Sequence, residues 1–207
     1  MTLNSTQSSY DRLAAEYARR MLTELDHKPL DRQLLDRFAT QVSGVVCDLG
    51  CGPGQVARYL HDRGVNALGI DLSPAMVETA SAAHSGIQFR QGDMRALPFA
   101  DGSLAGVAAF YSLIHIPRAE VVAVLKEVHR VLQSAAPLLV AFHRGGEIRH
   151  FEELWGLPVQ LDFIFFEREE MQDYLLEAGF IVDEIIERSP YPDVEAPTQR
   201  VYVFAHK

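Results

Sequence analysis

Two cysteines in 207 residues are too few for a disulfide framework, and no His or Cys cluster joins Cys47 and Cys51 at metal-ligand spacing. Both read as free thiols, which fits a reducing cytoplasm, and no metal is expected. Long hydrophobic runs are missing as well. None approaches the ~20 apolar residues of a membrane span, and Met1 to Ser9 is polar where a signal peptide would carry an apolar core. Positive charge is scarce: 19 Lys and Arg stand against 28 Asp and Glu, a formal net charge of −9. The only basic pair of note, Arg19-Arg20, reads as a solvated helix face, so binding to a phosphate backbone has nothing to draw on. Neither nucleic acid nor membrane is expected as a partner. Internal repeats and low-complexity segments are absent too. With 48% apolar and 23% charged residues, the chain has the composition of one globular domain that can bury a core.

What is present is organised around Asp48-Leu49-Gly50-Cys51-Gly52-Pro53-Gly54. The apolar run Val45-Val46-Cys47 leads in, and a helical pattern from Gln55 leads out, so this is a buried strand, a glycine turn and a helix start. Such a turn lets a ligand approach the backbone. The helix then points its first N–H groups and its positive dipole end at that ligand. A dinucleotide fingerprint would place its third glycine at position 55, where Gln55 stands. Asp48, at the strand end, suits an ammonium group and would repel a pyrophosphate. Both features count against a nicotinamide oxidoreductase.

The turn resembles motif I of the class I S-adenosylmethionine (SAM) dependent methyltransferases, hydrophobic residues followed by D-x-G-x-G-x-G. Three further segments resemble that family in order. Gly69-Ile70-Asp71-Leu72-Ser73 with Met76 resembles its second motif: Asp71 can accept from both ribose hydroxyls, Ser73 rather than Asp71 caps the next helix, and Leu72 and Met76 pack on ribose and adenine. Gly92-Asp93-Met94 with Leu97-Pro98-Phe99 resembles the G-D-x-x-x-L-P-F segment, with Asp93 at the adenine amino group and Met94 against the ring. Glu127 to Leu132 resembles the helix before the fifth strand, although Ser134-Ala135-Ala136 replaces the usual Pro-Gly-Gly turn. Near the start, Tyr10, Leu13, Ala14 and Tyr17 share a helix face. The resemblance makes Tyr10 and Tyr17 closing residues over SAM, with Gly50, Cys51, Gly52, Gly54, Gly92 and Tyr111 completing the cofactor set.

The resemblance covers about residues 10–205 and implies an α/β fold: a Rossmann-like doubly wound seven-stranded sheet whose last strand runs antiparallel. Residues 1–9 read as a loose tail and 9–41 as a helical cap. Residues 45–143 read as the cofactor-binding core, 147–166 as an aromatic lid inserted after the fifth strand, and 167–207 as a C-terminal helix and strand pair. The implied activity is methyl transfer from SAM to a small, partly hydrophobic acceptor by in-line displacement. A SAM-binding regulatory or partner-dependent module would carry the same cofactor motifs. The Asn-Pro-Pro-Tyr segment of amide and adenine methyltransferases is absent, since Tyr111-Ser112-Leu113-Ile114 stands there. His115 and His143, each after a strand, are the base candidates, with Tyr111 a third. His150, Trp155, Phe165, Tyr191 and Arg200 are candidate substrate contacts. A monomer or a homodimer fits equally.

Overall fold

Residues 3–207 are described by a computed structural model. Among them, β1 (Val45–Leu49), β2 (Asn66–Asp71), β3 (Gln88–Gln91), β4 (Gly106–Phe110) and β5 (Pro137–His143) pair in parallel in the order β3-β2-β1-β4-β5. β9 (Arg200–His206) adds antiparallel to β5, and β8 (Ile181–Arg188) pairs antiparallel outside it. This is the doubly wound seven-stranded sheet with an antiparallel last strand that the sequence implies. The central strands are near-continuous apolar runs because helices cover both faces, and β5 is buried along all but its last residue.

α5 (Arg118–Val131) shows how pattern becomes packing: Val121, Val124, Leu125 and Val128 recur at helical spacing, and all are buried. α4 (Pro74–Ala83) starts as expected, with the Ser73 Oγ accepting from the Met76 N–H at 3.1 Å and Pro74 in the first turn. α2 (Pro29–Gln41), α3 (Gln55–His61) and α6 (Arg168–Glu177) complete the layers.

The two covering elements differ from expectation. The tail is helix: α1 runs from Leu3 to Met21, and only Met1 and Thr2 of the expected tail lie outside the described residues. The polar residues that suggest a loose segment are used as anchors. Ser9, fully buried, bonds back to the Ser5 carbonyl, and its Oγ accepts from the Gln160 N–H at 2.9 Å. The lid segment is a β-hairpin, β6 (Ile148–Leu154) with β7 (Leu157–Ile164). Its apolar residues Val159 and Leu161 pack with Leu13 of α1. Across the sheet edge, the Asp11 carboxylate accepts from the Ser73 hydroxyl at 2.6 Å. Hairpin and helix therefore form one cap, tied on one side to α4.

Candidate active site

The glycine turn sits at the C-terminal edge of the sheet, next to the end of β2. The Gly50 and Cys51 N–H groups both donate to the Ile70 carbonyl, at 2.8 and 3.0 Å. Gly50 has φ +71°, and a Cβ there would lie 2.3 Å from the Ser112 Cβ, so no other residue fits. Asp71 closes the arrangement: its Oδ2 accepts from the Gly52 N–H at 2.8 Å and its Oδ1 from the Ser73 N–H at 2.9 Å. Burial pushes this carboxyl up to about 6.

A cavity of about 340 Å³ opens over the turn. Gly50, Gly52 and Asp71 form one end; Leu72, Met76, Gly92, Asp93 and Met94 form an apolar slot with one carboxylate; Tyr111, Ser112 and His115 come from the segment after β4. Asp93 also holds its own turn, accepting from the Arg95 N–H at 2.9 Å.

Tyr10 and Tyr17, from the covering face of α1, line the same cavity, their rings edge to face at 5.9 Å. The Tyr10 hydroxyl lies 2.6 Å from His115 Nε2, and His115 Nδ1 lies 2.9 Å from the Asp162 carbonyl on β7. A carbonyl only accepts, so Nδ1 carries the proton and Nε2 receives the tyrosine hydroxyl. Burial pushes His115 down to about 4, so the ring is neutral.

A second cavity of about 590 Å³ adjoins the first, and Tyr10, Tyr17, Phe110 and Tyr111 line both. Its further wall is charged: Glu24, Lys28, Glu195 and Arg200, with His143 at the end of β5. His143 lies between the Tyr111 and Phe165 rings, at 5.0 and 5.1 Å, and its Nδ1 is 3.0 Å from the Thr198 hydroxyl. Burial, reinforced by the charges of Arg200 and Lys28, pushes it down to about 3. Tyr111 separates the cavities in a backbone conformation uncommon for a residue with a side chain, φ +54°.

Several expected site residues fall elsewhere. Asp48 lies behind the turn, its Oδ2 accepting from the Ala57 N–H at 2.9 Å, and burial raises it to about 7; it fixes the start of α3 and does not line the cavity. Cys51 packs its sulfur against Gly69, and Gly54 abuts the Phe89 ring, so both shape the turn from behind. Phe165 is buried against His143, and Trp155 packs on Tyr17 beneath Arg20. His150 is exposed and paired with Asp162, and the Tyr191 hydroxyl accepts from the Leu30 N–H. Of the five expected substrate contacts, Arg200 alone lines either of these two cavities, the second one. Lys28, Glu24, Glu195 and Ser112 were not expected at all. Lys28 precedes a helix-starting proline and Glu195 sits in a Pro-rich loop, so local pattern marks neither.

Sheet order, glycine turn and the carboxylates at the ends of β2 and β3 define a nucleoside-binding domain of the SAM type. A methyltransferase-domain family profile matches residues 46–135. A demethylmenaquinone methyltransferase of Beutenbergia cavernae is 33% identical over 62% of this chain and 53% of its own length. A malonyl-[acyl-carrier protein] O-methyltransferase of Pseudescherichia vulneris is 27% identical over 69% and 58%. The chain thus spans about half the length of the curated relatives it matches. Among solved structures, DhpI in its SAH (S-adenosylhomocysteine) complex superposes with a TM-score of 0.74 at 20% identity, over 98% of this chain and 95% of that one. The chain is thus similar to class I SAM-dependent methyltransferases across its cofactor-binding half and shares their fold, and these likenesses support SAM as its cofactor.

The residues present fit that cofactor. The buried Ser112 Oγ, beside Gly50 at the cavity wall, has no hydrogen-bond partner among the described residues. Each Asp71 oxygen accepts one backbone N–H and keeps a lone pair for a hydroxyl. Among the described residues no group of three or more His, Cys, Asp or Glu is placed to hold a metal, and no helix is long and apolar enough to cross a membrane.

Proposed function

We propose that this protein transfers the methyl group of SAM to a small acceptor by in-line displacement. The observation that carries the reading is the convergence of Gly50, Gly52, Asp71, Asp93 and Ser112 on one cavity that Tyr10 and Tyr17 of α1 close. The bound cofactor supplies a methyl already activated on a sulfonium. Asp71 is read as the ribose acceptor, Leu72, Met76 and Met94 as the adenine slot, and the α1 tyrosines as the closure that excludes water.

Orientation carries much of such a rate, on the order of 7–11 kcal/mol at best. Where the acceptor must lose a proton, the group facing the cofactor cavity is His115, reached through Tyr10: the hydroxyl takes the acceptor's proton as it gives its own to Nε2. The lowered basicity of His115 makes this path weak, so an acceptor that is already ionised suits the site better. His143, neutral and enclosed, serves as a wall of the second cavity.

Calorimetric titration with SAH and NADH in parallel tests the cofactor reading. Binding of SAH alone supports it; binding of NADH alone refutes it. Labelled methyl transfer from SAM into a pool of small acids, amines, thiols and phenols then tests turnover. In that assay, His115→Ala lowers transfer to a protonated acceptor by about a hundredfold at unchanged SAH affinity. Wild-type turnover in that variant would remove His115 from the proton path.

A further inference from the structure

Three cations, Lys28, Arg188 and Arg200, converge on the single carboxylate of Glu195 beside the second cavity. Arg188 takes both Glu195 oxygens, at 2.6 and 2.9 Å, and the Tyr191 N–H adds a third bond. Burial works against the Glu195 charge, but the Arg188 bonds outweigh it and hold the carboxyl down at about 2. Lys28 and Arg200 stand further off, at 3.4 and 3.6 Å.

Arg200 is only 3% exposed and is not saturated. Its Nη1 donates to the Thr198 carbonyl and hydroxyl, and its Nη2 to the Ala196 carbonyl at 3.2 Å. Its Nε has no hydrogen-bond partner among the described residues. Nε and the adjoining Nη2 hydrogen form the edge of a guanidinium that binds a carboxylate through two parallel bonds. A buried donor without an acceptor is costly, and a ligand is the group that would remove the cost. Lys28 and Arg200 both lie over the Tyr111 ring, at 5.6 and 5.7 Å from its centroid. Tyr111 is the wall shared with the cofactor cavity. Lys28 is already paired with Glu24 and, at 3.4 Å, with Glu195, whereas the Arg200 Nε faces Glu195 only at 3.6 Å, beyond hydrogen-bond distance, and Asp193 is exposed at the rim.

We infer that the second cavity receives the methyl acceptor and that this acceptor carries a carboxylate, bound by Arg200 and Lys28 over Tyr111. This rests on the methyl-transfer reading and adds the substrate class to it. It adds a charged group to the expected partly hydrophobic acceptor, because Phe110, Ile114 and Phe163 line this cavity beside the ionic Lys28, Glu195 and Arg200.

The test is calorimetric titration of the SAH-loaded protein with benzoate, phenylacetate and hexanoate, and with benzamide, phenylacetamide and hexanamide. At least one acid binds ten times or more tightly than its amide. Lys28→Gln reduces that preference at least fivefold. Arg200→Lys, which keeps the charge and loses the two-donor edge, also reduces it, and thermal melts confirm that both variants are folded. The inference is overturned by acids and amides that bind alike, by no acid binding, or by variants that keep the full preference, each with SAH bound as in wild type. Failure of wild type to bind SAH would instead bring down the methyl-transfer reading, and the inference with it.

Discussion

Lowering the pH from 7 to 5 should weaken SAH binding about tenfold through one carboxyl. Asp71 is held at about 6 by burial, against the opposing pull of the Ser73 and Gly52 N–H groups. A ribose hydroxyl donates, so the competent form of Asp71 is the ionised one. At pH 7 about nine-tenths of the population is ionised, and at pH 5 about one-tenth, so the apparent Kd rises by about the ratio of those fractions. The carboxyl of SAH does not titrate appreciably in this window, nor does its ammonium. Asp71→Asn should bind about 10–100-fold more weakly at pH 7, the loss of one or two charge-assisted hydrogen bonds. It should also lose the pH slope, because an amide does not titrate; its nitrogen would face one of the two N–H donors that the carboxylate accepts, which adds to the loss of affinity. Titration calorimetry at pH 5, 6 and 7, with circular dichroism to confirm folding, reads both quantities. A wild-type Kd that changes less than about twofold would refute the reasoning. A slope that survives in Asp71→Asn would move the titration to Asp48, which burial holds at about 7 behind the turn.

Two stability measurements probe the scaffold. Gly50→Ala forces a Cβ to 2.3 Å from Ser112 at φ +71°, whereas Gly64→Ala meets nothing within 4 Å at φ +80°. Urea unfolding should show about 1–2 kcal/mol lost at Gly64, the backbone term alone, and a larger loss with abolished SAH binding at Gly50; equal losses would mean the turn has room to shift. Ser9→Ala removes the acceptor for the Gln160 N–H and should cost about 1–3 kcal/mol. Limited proteolysis should then cut the α1 region first, and an unchanged digestion pattern would show that this bond does not hold the cap.

The sheet was legible from the sequence because each central strand is an apolar run, and β1 and β2 end in a glycine turn and an acidic residue. Asp71 and Asp93 were legible for the same reason, since strand ends at one edge of a parallel sheet converge. The amphipathic pattern put Tyr10 and Tyr17 on one face of α1, but the polar opening of the helix concealed about two more turns. Ser9 reads as tail chemistry until its partner, Gln160, is known.

The rest was decided at long range. Asp48 has the charge for a ligand, yet its direction is set by the Ala57 N–H at the start of α3, which turns it away from the cavity. His115 reads as a candidate base after a strand, but Asp162 and Tyr10 occupy its two nitrogens and burial lowers its basicity. The charged wall joins Lys28 to Glu195 and Arg200, which lie at the other end of the chain, and the insertion of β9 beside β5 makes them neighbours. By itself the sequence determined the fold and the carboxylates that line the cavity over the glycine turn, because those depend on residues a turn or a strand apart. The second cavity and its charge depend on pairs separated by most of the chain, and tertiary packing alone brought them together.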